Sequence, residues 1–222
     1  MTPESDEGFI LRVHALTETS LVVRWLTADH GRLATVARGA RQARSPFHGR
    51  LDLFFSARIS FQRSRRSDLH TLREVSVTTT HPGVRADYPR LAQASYAVAL
   101  VERVSEPETP VPELHRLLGE FLAHLDARPA LARNVHALEV RMLAAGGLDP
   151  VELARDADDG VRRLMHALRD LDWADLGGLE AAPPAIRVVN RCLQAQIESS
   201  WGRIPRGRDD ALRRPGSAPP GP

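Results

Sequence analysis

The chain has 222 residues, of which 42% are hydrophobic and 26% charged, a composition typical of globular proteins. Its formal net charge is only +2, and all 30 basic residues are arginine. No apolar run approaches the ~20 residues of a membrane span, and the acidic start MTPESDEG lacks the apolar centre of a signal peptide, so we expect a cytoplasmic protein. The single cysteine, Cys192, excludes a disulfide within the chain and a zinc site built from several cysteines.

The first 80 residues have the pattern of a small β-domain. Short segments rich in valine, leucine and aromatic residues predict five strands: Phe9–Ala15, Leu21–Thr27, Leu33–Ala37, Leu53–Arg63 and Leu69–Thr79. Polar turns separate them, including ADHG at residues 28–31, where Gly31 is suited to a positive φ. Five short strands joined by tight turns predict a small barrel or sandwich over residues 1–80.

The pattern then becomes helical. After a Pro/Gly-rich joint at residues 81–89, apolar residues recur every three to four positions. The predicted helices are Leu91–Val104, Pro112–Ala127, Ala130–Ala145, Val151–Leu171 and Pro184–Trp201. We therefore predict an α-helical domain over residues 81–202, followed by a disordered tail rich in Arg, Pro and Gly at residues 203–222.

The charge is unevenly distributed along the chain. Residues 81–200 carry a net charge of −5, whereas residues 30–67 contain nine arginines and Asp52 as their only acid. A solvated strand surface normally mixes both signs, so this segment predicts contact with a polyanion such as a nucleic-acid backbone. The arginines expected to neutralise phosphates on one side of the barrel are Arg32, Arg38, Arg41, Arg44, Arg50, Arg58, Arg63, Arg65 and Arg66.

Aromatic residues interleave with these arginines. Four of the six phenylalanines lie between residues 47 and 61, with Trp25 nearby. An exposed ring would stack on a base whatever the sequence of the nucleic acid. Trp25 and Phe47 are the candidates for this role, and the alternative is that both are core residues.

Motifs of catalysis are missing from the sequence. The nine histidines form no HExxH pair, no phosphate-binding glycine loop is present, and the acidic run Asp156–Asp159 lacks the spacing of a calcium loop. We read that run as a solvated loop or a helix start. We therefore expect no catalytic residues, no metal and no cofactor.

An ordered set of motifs resembles the N-terminal domain of the bacterial recombination mediator RecO. The motifs are E-x-S-L at Glu18–Leu21, T-x-x-H-G-R-L at Thr27–Leu33 and V-A-R-G-A-R at Val36–Arg41. The helical part is similar to the same family at Ala94–Val104, Glu113–Leu125 and His136–Pro150, as is the closing WGRIPRGR at Trp201–Arg208. The resemblance runs over nearly the whole chain.

This resemblance implies an α+β fold, with an N-terminal OB-fold barrel followed by an all-α domain. It also implies binding of single- and double-stranded DNA, annealing of complementary strands, and assistance to RecA on DNA coated by single-strand binding protein (SSB), with RecR as partner. Such a protein would associate with the nucleoid. Many family members carry a four-cysteine zinc motif after the segment that matches Leu148–Pro150, but here Glu152–Arg163 has no cysteine.

The SSB partnership suggests a further site on the third predicted helix. Arg133 and Arg141, with Leu138 and Met142 beside them, would receive the acidic, hydrophobic tail of SSB. The alternative is an ordinary amphipathic helix. For the chain as a whole, the alternatives are an RNA-binding OB protein of RNA processing or translation and, less favoured, an enzyme such as a nuclease.

Overall fold

The computed structural model describes residues 2–213 and divides the chain into two compact units. The first unit comprises Met1–His81 and Val104–Gly119, and the second comprises Pro82–Arg103 and Glu120–Pro222. This division differs from the predicted boundary near residue 80, because the segment around Glu108 returns to the strands. The Glu108 amide donates to the Arg32 carbonyl at 3.0 Å, and Pro107 forms a parallel bridge with Arg32.

The first unit is a closed five-stranded barrel. Its strands are β1 (Glu4–Ala15), β2 (Leu21–Thr27), β3 (Gly31–Ala37), β4 (Ser56–Gln62) and β5 (Leu69–Thr79). They close in the order β1-β2-β3-β5-β4, with β3 and β5 parallel and every other pair antiparallel. The predicted OB-fold barrel is confirmed.

Alternation along the strands fills the barrel. On β4, Ala57, Ile59 and Phe61 point inward, whereas Arg58 between them is exposed. The inward residues of all five strands, including Trp25 on β2 and Leu33 on β3, form one apolar cluster. The period of two is therefore what separates the core from the surface in this unit.

The turn between β2 and β3 is held by a buried carboxylate on β1. Asp6 accepts hydrogen bonds from the Asp29 and His30 amides, and its Oδ2 lies 2.7 Å from His30 Nδ1. Burial opposes ionisation of Asp6, but the hydrogen bonds from His30, from Thr27 and from backbone amides lower its pKa overall. Gly31 follows with the positive φ (67°) that the sequence predicts.

The helical region contains seven α-helices within residues 2–213. They are α1 (Tyr88–Val104), α2 (Pro112–Ala127), α3 (Ala132–Ala145), α4 (Pro150–Leu153), α5 (Asp159–Asp170), α6 (Pro183–Trp201) and α7 (Arg208–Ala211), with short 3-10 helices at Pro82–Arg85 and Asp175–Gly178. The predicted helix Val151–Leu171 is divided in two. Asp158 starts α5 by accepting a hydrogen bond from the Val161 amide at 3.0 Å.

The segment after α6 is ordered by a buried ion pair, in contrast to the predicted disorder from residue 203. Arg208 donates to both carboxylate oxygens of Glu139 on α3, at 2.6 and 2.8 Å, and Tyr96 donates to the same carboxylate at 2.7 Å. Burial and the neighbouring Glu139 raise the pKa of Tyr96, which keeps its hydroxyl protonated as the donor. Residues 214–222 of the predicted tail lie outside the described residues.

Candidate nucleic-acid interface

The loop between β3 and β4 carries four of the predicted arginines. We call residues 38–50 the arginine loop. Consecutive turns fold it, with the Gln42 amide donating to Gly39, the Ser45 amide to Gln42 and the His48 amide to Ser45. Phe47 packs into the apolar cluster of the barrel and anchors the loop there. The charged side chains of the loop are left in solvent.

Three arginines of the loop carry uncompensated charge. Arg38, Arg41 and Arg44 are all exposed, and none forms an ion pair with any of residues 2–213. The Arg41 amide donates to Thr19 at 3.0 Å and its guanidinium donates to the Thr17 carbonyl at 3.1 Å. These bonds place Arg41 against the turn between β1 and β2.

The β4–β5 turn presents two more free guanidiniums. Arg65 and Arg66 are exposed and, within the described part of the chain, form no ion pair. Arg63 differs, because its guanidinium contacts Glu4 on β1 at 3.1 Å and also pairs with Glu108. Two carboxylates already compensate Arg63, so the structure does not support its predicted role as a phosphate ligand.

The other predicted arginines lie on strands or at the end of the arginine loop. Arg58 is exposed on β4, where it pairs in register with Glu7 of β1 and Ser76 of β5. Arg50 closes the arginine loop and donates to the Val75 carbonyl at 3.3 Å. Arg32, on β3, is only half-exposed.

The two predicted stacking residues are core residues. Trp25 is fully buried (0% exposed), and its indole N–H donates to the Thr35 hydroxyl at 2.9 Å inside the barrel. Phe47 is 7% exposed. A closed barrel needs large apolar side chains to fill its interior, and that requirement buries both rings.

The predicted partner site on α3 is also mostly internal. Leu138 and Met142 are each 1% exposed, within the core of the helical region. Arg133 donates to the Leu176 carbonyl at 3.0 Å, and Arg141 donates to the Leu168 carbonyl at 3.1 Å. Arg141 also stacks over the Trp173 ring at 4.1 Å. These contacts hold the helices together, so the four residues do not form the open docking face that the sequence suggested.

Sequence reasoning missed a groove in the second unit. We call it the helical groove. It has a volume of about 940 Å³ and is lined by Leu164, Leu168, Leu179, Ile186 and Arg187, with Arg133 and His136 at its wall. Burial lowers the pKa of His136, which favours its neutral form. Ile186 is an apolar side chain that is 38% exposed. The apolar spacing of the helix did not show that this residue lies outside the core.

The acidic run that the sequence left open is a helix start. Asp158 caps α5, and Asp159 forms an ion pair with Arg162 one turn later. Across residues 2–213, no three His, Cys, Asp or Glu side chains lie together in an arrangement suited to a metal ion. In that same part of the chain, no helix has both the length and the apolar composition to cross a lipid bilayer.

The barrel order and the exposed arginines define an OB-fold protein with a helical extension. Residues 1–81 match the family described as "Recombination protein O N terminal", and residues 85–160 match "Recombination protein O C terminal". The first match contains all five strands of the barrel, and the second contains helices α1 to α4. The chain belongs to the RecO family.

Individual relatives carry the name DNA repair protein RecO. The chain is 37% identical to the one from Anaeromyxobacter sp. (strain Fw109-5) over 143 residues, which is 64% of this chain and 56% of the relative. It is 32% identical to the one from Pelobacter propionicus over 151 residues, or 68% and 61% of the two chains. For Geobacter sulfurreducens the identity is 34% over 143 residues, or 64% and 58%. The chain therefore spans less than two thirds of the length of these relatives.

Proposed function

We propose that this chain acts in DNA repair as a non-catalytic mediator that binds single- and double-stranded DNA. The observation that supports this is the position of the uncompensated arginines. OB-folds bind oligonucleotides through the loops joining strands 1–2 and 4–5. Arg41 lies against the first of these turns, and Arg65 and Arg66 lie on the second. Membership of the RecO family supports the same role, and its site of action would be the nucleoid.

Strand annealing would follow from the same charges. Two complementary strands repel each other through their phosphates, and a basic surface that holds both lowers that repulsion. The contacts are to the backbone, so we expect little preference for sequence. Counterions released on binding make the affinity fall as salt rises.

The test is a salt titration of binding to labelled single-stranded and duplex oligonucleotides. The double variant Arg38→Gln/Arg44→Gln should weaken binding to all sequences alike and reduce the salt slope by about 1 for each arginine removed. Arg191→Gln, an exposed arginine on α6, is the matched control and should change neither quantity. Unchanged affinity and slope in the double variant would refute the assignment of the arginine loop.

The contact with SSB is proposed at the helical groove, in place of the buried residues of α3. The groove is mostly apolar and has an exposed arginine, Arg187, at its edge, with one exposed acid, Glu180, also in the lining. An acidic, hydrophobic peptide such as the SSB tail is complementary to both features. Arg187→Glu should therefore weaken binding of a labelled tail peptide by about tenfold or more. Arg191→Glu, one turn further along the same helix and outside the groove, should leave the peptide affinity unchanged.

Cooperation with RecR and loading of RecA are supported by family membership alone. They are tested by the ATPase activity of RecA on SSB-coated single strands, with this chain and RecR added separately and together. A rise that requires both proteins is the expected result. If the ATPase activity of RecA does not rise, the proposed loading of RecA is wrong, and the proposed DNA binding is unaffected.

Competition between single-stranded DNA and RNA of the same sequence addresses the alternative function. Preference for RNA would favour a role in RNA processing or translation. Incubation of DNA with Mg²⁺ or Mn²⁺ and this chain checks the non-catalytic assignment, and cleavage would contradict it.

A further inference from the structure

A second groove lies on the barrel, on the outer face of β1, β4 and β5. We call it the barrel groove. It has a volume of about 570 Å³, within the range of about 300–1,000 Å³ that small-molecule sites occupy. Its lining includes Pro46, Phe47 and Arg50 of the arginine loop and strand residues such as Ser60 and Ser76. This face is distinct from the turns that join β1 to β2 and β4 to β5.

Charged groups of both signs line the barrel groove without neutralising one another. Arg50, Arg58 and Arg73 are exposed there, as are Glu7 and Glu74. Although the strand register sets Arg58 opposite Glu7, none of the three arginines forms an ion pair with any of residues 2–213. The groove therefore keeps donors and acceptors available on the same surface.

Another acid at the groove is already used by the fold. The Asp6 carboxylate accepts from the Asp29 and His30 amides and contacts the His30 ring, as described above. The groups left for a ligand are thus three guanidiniums, two carboxylates and serine hydroxyls. A surface that only followed a phosphate backbone would gain nothing from the two carboxylates, which repel it.

We propose that the barrel groove binds one unpaired nucleotide of single-stranded DNA. A guanidinium stacks on a base face or donates to the acceptors of a base edge, and it also holds a phosphate. A carboxylate accepts from the amino groups of a base. The mixed set therefore matches a nucleotide, which presents donors, acceptors and one negative charge together.

A base can enter the groove only when it is unpaired. In a duplex, the Watson–Crick edge is engaged with the partner strand and the base is stacked between neighbours, so it cannot enter a groove without being extruded at a cost. The barrel groove would thus favour single strands over duplexes, and it would release the base when annealing begins. This inference rests on the proposed DNA binding and adds a discriminating site to it.

The first experiment compares the variant Arg58→Gln/Arg73→Gln on single-stranded and duplex oligonucleotides of equal length at one salt concentration. The expected result is a loss of about tenfold in affinity for the single strand, within the range for one stacked base. The affinity for the duplex should change by less than about threefold, and Arg191→Gln should change neither. All variants are first compared with the wild type by thermal unfolding.

The second experiment separates a base from a phosphate as the occupant. Replacing both carboxylates, in Glu7→Gln/Glu74→Gln, removes two negative charges from the groove. If the groove held only phosphates, this change would strengthen binding of the single strand. If it holds a base, binding should weaken, because a neutral amide oxygen is a weaker acceptor than a carboxylate, and this is our expected result.

Equal losses for single and double strands, or a gain with the Glu variant, would overturn the inference. The proposed function would survive that result, because it is tested independently by the arginine-loop variant. Failure of the Arg38→Gln/Arg44→Gln variant to lose affinity would instead count against the proposed function itself.

Discussion

The buried pair of Glu139 and Arg208 offers a sharp test of how the C-terminal segment is held. The Glu139 side chain is 0% exposed and that of Arg208 is 5% exposed, so neither charge is hydrated. Replacing Arg208 by Met preserves most of the buried volume but leaves the Glu139 carboxylate with Tyr96 as its remaining hydrogen-bond donor. Breaking a buried pair in this way costs about 3–5 kcal/mol.

That loss is large enough to measure by thermal or urea unfolding. At about 2–4 °C per kcal/mol, the Arg208→Met variant should unfold roughly 6–20 °C below the wild type. The double variant Arg208→Met/Glu139→Gln should recover most of the loss, because it leaves no buried charge and the Gln oxygen still accepts from Tyr96. The exposed Arg206 provides a matched control, and Arg206→Met should stay within about 0.5 kcal/mol of the wild type.

Two results would contradict this reasoning. A loss below about 1 kcal/mol for Arg208→Met would mean that the pair contributes no more than a surface ion pair. A double variant as unstable as the single one would mean that the effect comes from lost packing at Arg208 and not from the stranded charge.

Three further predictions concern the barrel. Burial opposes ionisation of Asp6, but its hydrogen bonds lower its pKa overall, so its stabilising effect is complete above about pH 4 and is lost as the pH falls through the folded pKa. In urea unfolding, Asp6→Asn should therefore be less stable than the wild type at pH 7, and the difference in free energy of unfolding between the two should become smaller in acid. Gly31→Ala should lower the free energy of unfolding by more than about 2 kcal/mol, because φ is 67° and a Cβ would lie 1.9 Å from the Thr109 carbonyl oxygen. Gly49→Ala, with φ 70° and no atom within 4 Å of the added Cβ, should lower it by only about 1–2 kcal/mol, and equal losses in the two variants would refute the clash at Gly31. Phe47→Leu should lower the free energy of unfolding by about 1–2 kcal/mol, since Phe47 is 7% exposed and packs in the barrel cluster; unchanged stability together with a loss of DNA affinity near the ~1–3 kcal/mol of a stacked base would restore the stacking role.

Periodicity was enough to predict most of the elements. The bounds of β2, β5 and α2 agree with those expected from the sequence, because each has a strong period of two or of three to four with a clear turn or proline at its end. The sequence was less informative where a local signal competes with the pattern. The division of Val151–Leu171 depended on the cap at Asp158, which the apolar spacing does not reveal.

The candidate site was predicted in outline, with its members only partly sorted. A run of arginines without acids identified the basic loop, since net charge is additive along the chain. The sequence did not show that Arg63 is compensated, because its partners Glu4 and Glu108 lie 59 and 45 positions away. It also did not distinguish Trp25 and Phe47 as fillers of the barrel from rings on its surface.

The sequence by itself determined the order of strands and helices, the basic character of the β3–β4 loop and the family motifs, because these depend on residues close together along the chain. Only the tertiary structure decided which charges remain free. Arg208 forms a buried ion pair with Glu139, 69 positions earlier in the chain. Arg58 lies opposite Glu7 on the neighbouring strand but forms no ion pair with any of residues 2–213. Whether a charge is available to a ligand depends on burial and on partners brought together by folding, and chain spacing carries neither.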